Sequence, residues 1–263
     1  MSDGESILVH LEEQILFITL NRPDVLNSFN RPMGASFHKT LERAAADPDV
    51  RCLLITGAGR AFCAGQDLAE ALPPDQEPPD IRDIIRDTYN PAIRGIRGIE
   101  KPVICAVNGV AAGAGANLAL ACDFVLASEK AGFIQAFSKI ALIPDSGGTF
   151  FLPRLVGLAR ATEMAFLGDR IGPQQALDWG LIYRTCSPDD LTQESTQLAR
   201  KLAAGPTRAY GLIKRAFNSS LSNTLDDQLE LERELQGMAA QGDDYREGVT
   251  AFQEKRAARF QGC

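Results

Sequence analysis

Three observations predict an α/β fold. Residues 52–56, 103–107 and 124–127 are short apolar runs, of the kind found in strands buried on both faces. Helical patterns follow the first two, and that β-then-α alternation argues for parallel strands joined by right-handed crossovers. Between strand and helix the chain breaks at small residues, once in Arg60-Ala61-Phe62-Cys63-Ala64-Gly65-Gln66-Asp67-Leu68 and once in Val107-Asn108-Gly109-Val110-Ala111-Ala112-Gly113-Ala114-Gly115-Ala116.

The elements follow in order. Residues 6–20 alternate apolar and polar on both sides of Glu12-Glu13-Gln14, a β-hairpin signature. Residues 30–46 carry helical periodicity that ends before Asp47-Pro48. Residues 72–79, Leu-Pro-Pro-Asp-Gln-Glu-Pro-Pro, are too proline-rich for regular structure. They read equally well as a mobile loop beside a site or as a plain surface connection. From Asp189 onward the pattern is almost wholly helical, with breaks near Gly205-Pro206, Ser222-Asn223 and Gly242-Asp243. The organisation expected is therefore an α/β region over 1–188 and a helical region over 189–263. No internal repeat is visible.

Bulk properties exclude several functions. A chain of 263 residues with 45% hydrophobic and 23% charged residues buries one sizeable core. A net charge of −7 argues against nucleic acid or an anionic membrane surface as partner. Asn108, Asn117 and Asp123 interrupt the most apolar region, so no membrane span is expected. The start, Met1-Ser2-Asp3-Gly4-Glu5, is acidic and unlike a secretory signal. Six dispersed cysteines without a CxxC pair read as reduced core thiols of a cytoplasmic protein. With only His10 and His38 as imidazoles, a zinc site is not expected.

The two glycine breaks are the chemical signal. Small residues there let backbone approach a ligand and leave N–H groups unpaired. Two such breaks suffice to aim two donors at one oxygen, the requirement of an oxyanion hole; tight turns for close packing are the alternative reading. Other motifs fall away. Gly113-x-Gly115 lacks the third glycine of a dinucleotide site, since Leu118 stands there. Cys63 has no histidine placed to activate it and reads as a packed thiol.

Together the two stretches resemble the signature segments of the enoyl-CoA hydratase/isomerase (crotonase) superfamily. The resemblance runs from Ile15-Leu16-Phe17-Ile18-Thr19-Leu20-Asn21-Arg22-Pro23 to Tyr245-Arg246-Glu247-Gly248. It implies a spiral of ββα repeats followed by a helical part that packs into trimers, alone or paired as hexamers. It further implies that the N–H groups of Gln66 and Ala114 hold the oxygen of a CoA thioester, with Gly65 and Gly113 permitting the approach. CoA would lie along Asp24, Val25 and Leu26 and along Ala64 to Leu68, which includes Asp67. No metal or redox cofactor is implied, because CoA is part of the substrate. Lys255 and Arg256 either meet CoA phosphates or form a solvated helix face, and Phe252 is either an acyl contact or core.

Departures from the family pattern are informative. Hydratases of the family use two glutamates, and Asn117 and Phe137 occupy those positions here. Neither titrates near neutral pH, so ordinary hydration is disfavoured. One carboxylate remains, Asp145, where the isomerase and dehalogenase branches place an aspartate in the acyl pocket. By pattern alone Asp145 would cap the helix that follows. As an acid/base it would work best with its pKa raised by an apolar pocket, for which Phe137, Ile140 and Leu142 are candidates. Asn117 either bonds the acyl group or sits as a polar residue on a helix face. Asn27-Ser28-Phe29-Asn30, Ala136-Phe137-Ser138-Lys139 and Asp244-Tyr245-Arg246-Glu247-Gly248-Val249 are most similar to the isomerase branch. That branch opens a ring epoxide on a CoA thioester to an oxepin and moves a β,γ double bond into conjugation. The alternatives are a hydratase that recruits Asp145 and a non-catalytic subunit of a CoA-ester enzyme.

Overall fold

The hairpin comes first in the computed structural model, which describes residues 5–71, 77 and 79–263. Strand β1 (Ile7–Glu12) pairs antiparallel with β2 (Ile15–Leu20), with Glu13 and Gln14 at positive φ in the turn between them. Helix α1 (Arg31–Ala46) follows, its start capped by the Asn30 side chain, which accepts from the Met33 N–H at 3.0 Å.

Three strand pairs then build the centre: β3 (Cys52–Gly57) with β4 (Ala61–Cys63), β5 (Val103–Val107) with β6 (Val110–Ala112), and β7 (Phe124–Ser128) with β8 (Gly132–Ile134). In each pair the first strand joins one sheet and the second joins another. Strands β9 (Arg170–Ile171) and β10 (Arg184–Cys186) close the set, giving the orders β1-β2-β3-β5-β7-β10 and β4-β6-β8-β9 among the described residues. Apart from β1 against β2 and β8 against β9, the ladders are parallel. Helical segments follow each pair: α2 (Leu68–Ala71), α3 (Ile81–Ile84), a π-helical turn (Ile85–Tyr89) and α4 (Asn90–Gly98) after β4, α5 (Ala114–Leu120) after β6, and α6 (Gly148–Leu167) after β8. This is the ββα spiral that the resemblance implied. Its repeat is invisible in the sequence because the turns begin at 52, 103 and 124, with no constant period.

Burial on both faces explains the unbroken apolar runs. Leu53 and Ile55 of β3, with Val103, Cys105 and Val107 of β5, face one core. Cys52, Leu54, Ile104 and Ala106 face a second, covered by Leu191, Ala199 and Leu202 of α8 (Leu191–Ala203). Helix α7 (Pro173–Asp178) precedes β10, and after α8 come α9 (Thr207–Ser220), α10 (Leu225–Ala240) and α11 (Asp243–Glu254). No helix among the described residues is long and apolar enough to cross a membrane. The expected loop at 72–79 lies largely outside the described residues.

A buried charge cluster ties α9 to the sheet. Asp123, at the start of β7, accepts from Lys214 Nζ at 2.8 Å, from the Val103 N–H at 2.9 Å and from Arg97 Nη1 at 3.1 Å. Lys214 is 7% exposed, so removing it leaves Asp123 buried with only part of its compensation. Lys214→Ala is expected to cost about 3 kcal/mol, at the low end for a broken buried pair because Arg97 stays. A thermal melt should show a Tm lower by on the order of 10 °C.

Candidate active site

The two glycine breaks meet because β4 and β6 are adjacent parallel strands, with Ala61 opposite Val110 and Cys63 opposite Ala111. Both stretches therefore leave the same ends of neighbouring strands, where open α/β sheets commonly bind ligands. Gly65 has φ +94°, and a Cβ on it would lie 2.9 Å from the Ala112 carbonyl oxygen and 3.5 Å from the Ala114 nitrogen. Gly115 is packed as closely, since a Cβ there would lie 2.7 Å from the Cys63 sulfur. Only hydrogen fits between the two segments.

The first segment is held by its flanks. Phe29 N–H donates to the Gly65 carbonyl at 2.8 Å, and Asp67 N–H donates to the Phe29 carbonyl at 2.9 Å. The Gln66 N–H between them takes no part in this pairing, and neither it nor the Ala114 N–H has a hydrogen-bond partner among the described residues. Two free donors on adjoining segments can accept a developing negative charge on one oxygen. Asp67 pairs with Arg22 at 2.8 Å and caps α2 through the Ala69 N–H at 3.1 Å, so it braces the loop. Leu26 accepts from the Ala64 N–H at 3.0 Å, which draws the turn at Asp24 and Val25 alongside the first segment. Leu68 is exposed at the end of that segment. Cys63 is buried and its thiol is pushed up to about 12 by burial, so it is inert as a nucleophile.

Asp145 is held to the second segment through Asn117. This asparagine is fully buried on α5; its Nδ2 donates to the Asp145 carbonyl at 2.8 Å and its Oδ1 accepts from Gln135 Nε2 at 2.8 Å. Asn117 is therefore the tie that positions the Asp145 backbone, a use between the two open readings. The Asp145 side chain does not cap α6, whose N-cap is Gly147 with no side-chain bond. Instead its carboxylate accepts from the Ser146 hydroxyl at 2.8 Å. Burial raises its pKa, and the Ser146 hydroxyl and its own backbone N–H offset part of the rise. The apolar neighbours differ in burial. Phe137 is buried, close to Gly113, but Ile140 is 60% and Leu142 40% exposed in the single chain. Ala141 between them takes the left-handed conformation at φ +57°. Gln135 and Ser146 carried no motif and were missed from the sequence.

Lys255 and Arg256 lie just beyond α11 and not on its face, and Arg256 pairs with Glu247 and Glu254, both at 2.6 Å. Phe252 is 85% exposed in the single chain and belongs to no core.

A raised carboxyl pKa in the folded state makes Asp145 a stability cost once it ionises. The contribution is most favourable below the unfolded value of 3.8 and is lost as pH rises through the folded value. Asp145→Asn is therefore expected to raise Tm at pH 7, with the gain over wild type shrinking as pH falls toward 4. Melts across that range check the sign.

The family profile described as enoyl-CoA hydratase/isomerase matches residues 10–263. The chain is 51% identical to the 1,2-epoxyphenylacetyl-CoA isomerase of Escherichia coli K12, over 98% of this chain and 99% of that protein. It is 36% identical to the trans-2-decenoyl-[acyl-carrier-protein] isomerase of Streptococcus mutans, over 99% of each. The crystal structure of an enoyl-CoA hydratase from Polaromonas sp. JS666 superposes with a TM-score of 0.90 at 36% identity, covering 97% of this chain and 99% of that one.

Proposed function

The chain belongs to the enoyl-CoA hydratase/isomerase family, and from that premise we propose that it is an isomerase of acyl-CoA thioesters. One observation carries the reading: a lone partly buried carboxylate, Asp145, tied through Asn117 to the helix whose first N–H is free. The thioester oxygen accepts from the Gln66 and Ala114 N–H groups. Asp145 takes a proton from the carbon between the carbonyl and a β,γ double bond, and the electron pair passes into the enolate held by the two donors. The same carboxyl group returns the proton to the γ carbon, leaving an α,β double bond. Nothing is gained or lost, so one acid/base suffices.

Hydration would need a group to activate water. Asn117 has its amide committed at both ends and Phe137 is apolar, which disfavours the hydratase alternative. The 51% identical relative supports a second substrate, a ring-1,2-epoxyphenylacetyl-CoA. Asp145 withdraws the proton beside its thioester as the bond between the two oxygen-bearing carbons cleaves, and returns it to a ring carbon, giving a seven-membered oxepin isomer. The oxygen keeps both of its carbon bonds throughout. In this reading CoA belongs to the substrate and no other cofactor takes part. The exposed Phe217, Leu225 and Phe252 of the C-terminal helices fit association into trimers.

Incubation of a β,γ-unsaturated acyl-CoA with the wild type should give a conjugated product of unchanged mass, read by ultraviolet absorbance and mass spectrometry. Asp145→Asn should lower that rate by roughly 100- to 10,000-fold. A product heavier by one water would reject the isomerase reading.

A further inference from the structure

Two neighbours hold the backbone of Asp145 and a third holds its side chain. The Asp145 carbonyl accepts from Asn117 Nδ2 at 2.8 Å and from the Gly148 N–H at 2.7 Å. Its Oδ1 accepts from the Ser146 hydroxyl at 2.8 Å, and no side chain among the described residues bonds Oδ2. Ser146 is an unusual residue for its place. It lies at φ +49°, in the left-handed region, and Gly147 follows at φ +80°. Glycine meets that conformation without strain, whereas residues with a Cβ adopt it rarely and most often at functional sites. Yet position 146 holds a serine, 3% exposed, in a stretch that has glycine at the next two positions. What serine adds there is the hydroxyl on the carboxylate.

A hydroxyl has one proton to donate, and an ionised carboxylate can only accept. The bond therefore favours the charged form of Asp145, while burial favours the neutral one. No charged side chain enters this balance. Asn117 is an amide, and Asp145 forms no ion pair among the described residues. The titratable group that registers its charge is the Tyr89 phenol on the π-helical turn, which burial pushes far above neutrality and leaves uncharged.

We propose that Ser146 is a positioning residue that holds Oδ1 of the ionised carboxylate, keeping Asp145 a base and leaving Oδ2 as the atom that moves the proton. The inference rests on the isomerase reading above and names the oxygen that performs its proton transfer. Oδ2 gains the proton from the carbon beside the thioester as the electron pair enters the enolate. It loses that proton to the γ carbon as the pair returns, and the carboxylate is regenerated. Oδ1 cannot turn to the substrate without giving up its bond, so both transfers pass through one atom.

The test compares Ser146→Gly with Ser146→Ala, each read as kcat/KM for a β,γ-unsaturated acyl-CoA across the acid range. Both delete the hydroxyl, but glycine suits the left-handed backbone and alanine does not. Loss of a donor to the ionised form raises the pH at which the base is half protonated. The acid limb should therefore move to higher pH by the same amount in both variants. On that limb the rate should fall roughly 10-fold relative to the plateau. A packing role would lower the plateau and leave the limb in place. A limb that keeps its wild-type position in Ser146→Gly overturns the inference alone, as does one that moves in Ser146→Ala only. Should the alanine variant not fold, the glycine variant decides by itself. A wild type without turnover, or turnover that survives at full rate in Asp145→Asn, overturns the isomerase reading and the inference with it.

Discussion

The close approach of the chain leaving β4 to the chain leaving β6 is the constraint on which the site depends. Adjacent strands lie about 4.8 Å apart, and the segments that continue beyond them normally splay to make room for side chains. Here Gly65 and Gly115 remove those side chains at the points of contact, and the peptide of Gln66 stays beside the first turn of α5. Two N–H donors are left without partners among the described residues as a result, an arrangement the fold would ordinarily avoid. Its cost is borne by the surroundings: sheets buried on both faces, a bracketing pair of bonds from Phe29, and the Arg22–Asp67 brace. Unsatisfied donors held this rigidly need no reorganisation when an oxygen acquires charge between them.

Asn117 carries the same logic to the carboxylate. An amide donates with one end and accepts with the other, and this one does both, to the Asp145 carbonyl and from Gln135. A glutamate at 117 would have no N–H to offer that carbonyl when ionised. The exchange of an acid for an amide thus does two things at once. It removes a group able to activate water, and it supplies the donor that fixes the loop bearing the remaining acid.

Much of this was legible in the sequence, for reasons that differ by element. The hairpin and α1 announce themselves through alternation and through an asparagine at a helix start, both local signals. The breaks at Gly205-Pro206, Ser222-Asn223 and Gly242-Asp243 fall between successive C-terminal helices because glycine, proline and asparagine disfavour helix interiors. The spiral was legible only through family resemblance, since helical connections of unequal length hide its period. Gln135 and Ser146 escaped because each meets the site through tertiary proximity. Neither sits in a patterned motif. The left-handed Ala141 between Ile140 and Leu142 is likewise a backbone feature that no side-chain pattern reveals.

A lone carboxylate raised by burial behaves differently from one raised by a second acid. Two neighbouring carboxylates titrate as a pair, and the proton belongs to both. At Asp145 the dominant cause is loss of water, softened by the Ser146 hydroxyl, so a single group holds the proton. Desolvation strengthens it as a base. A group that must take a proton from one carbon and give it back to another gains from a raised affinity. In the proposed reaction, Asn117 holds the backbone carbonyl of the residue and leaves its carboxylate to serve both carbons. On that reading the site combines rigid donors for the oxygen, which does not move, with one acid for the proton, which does.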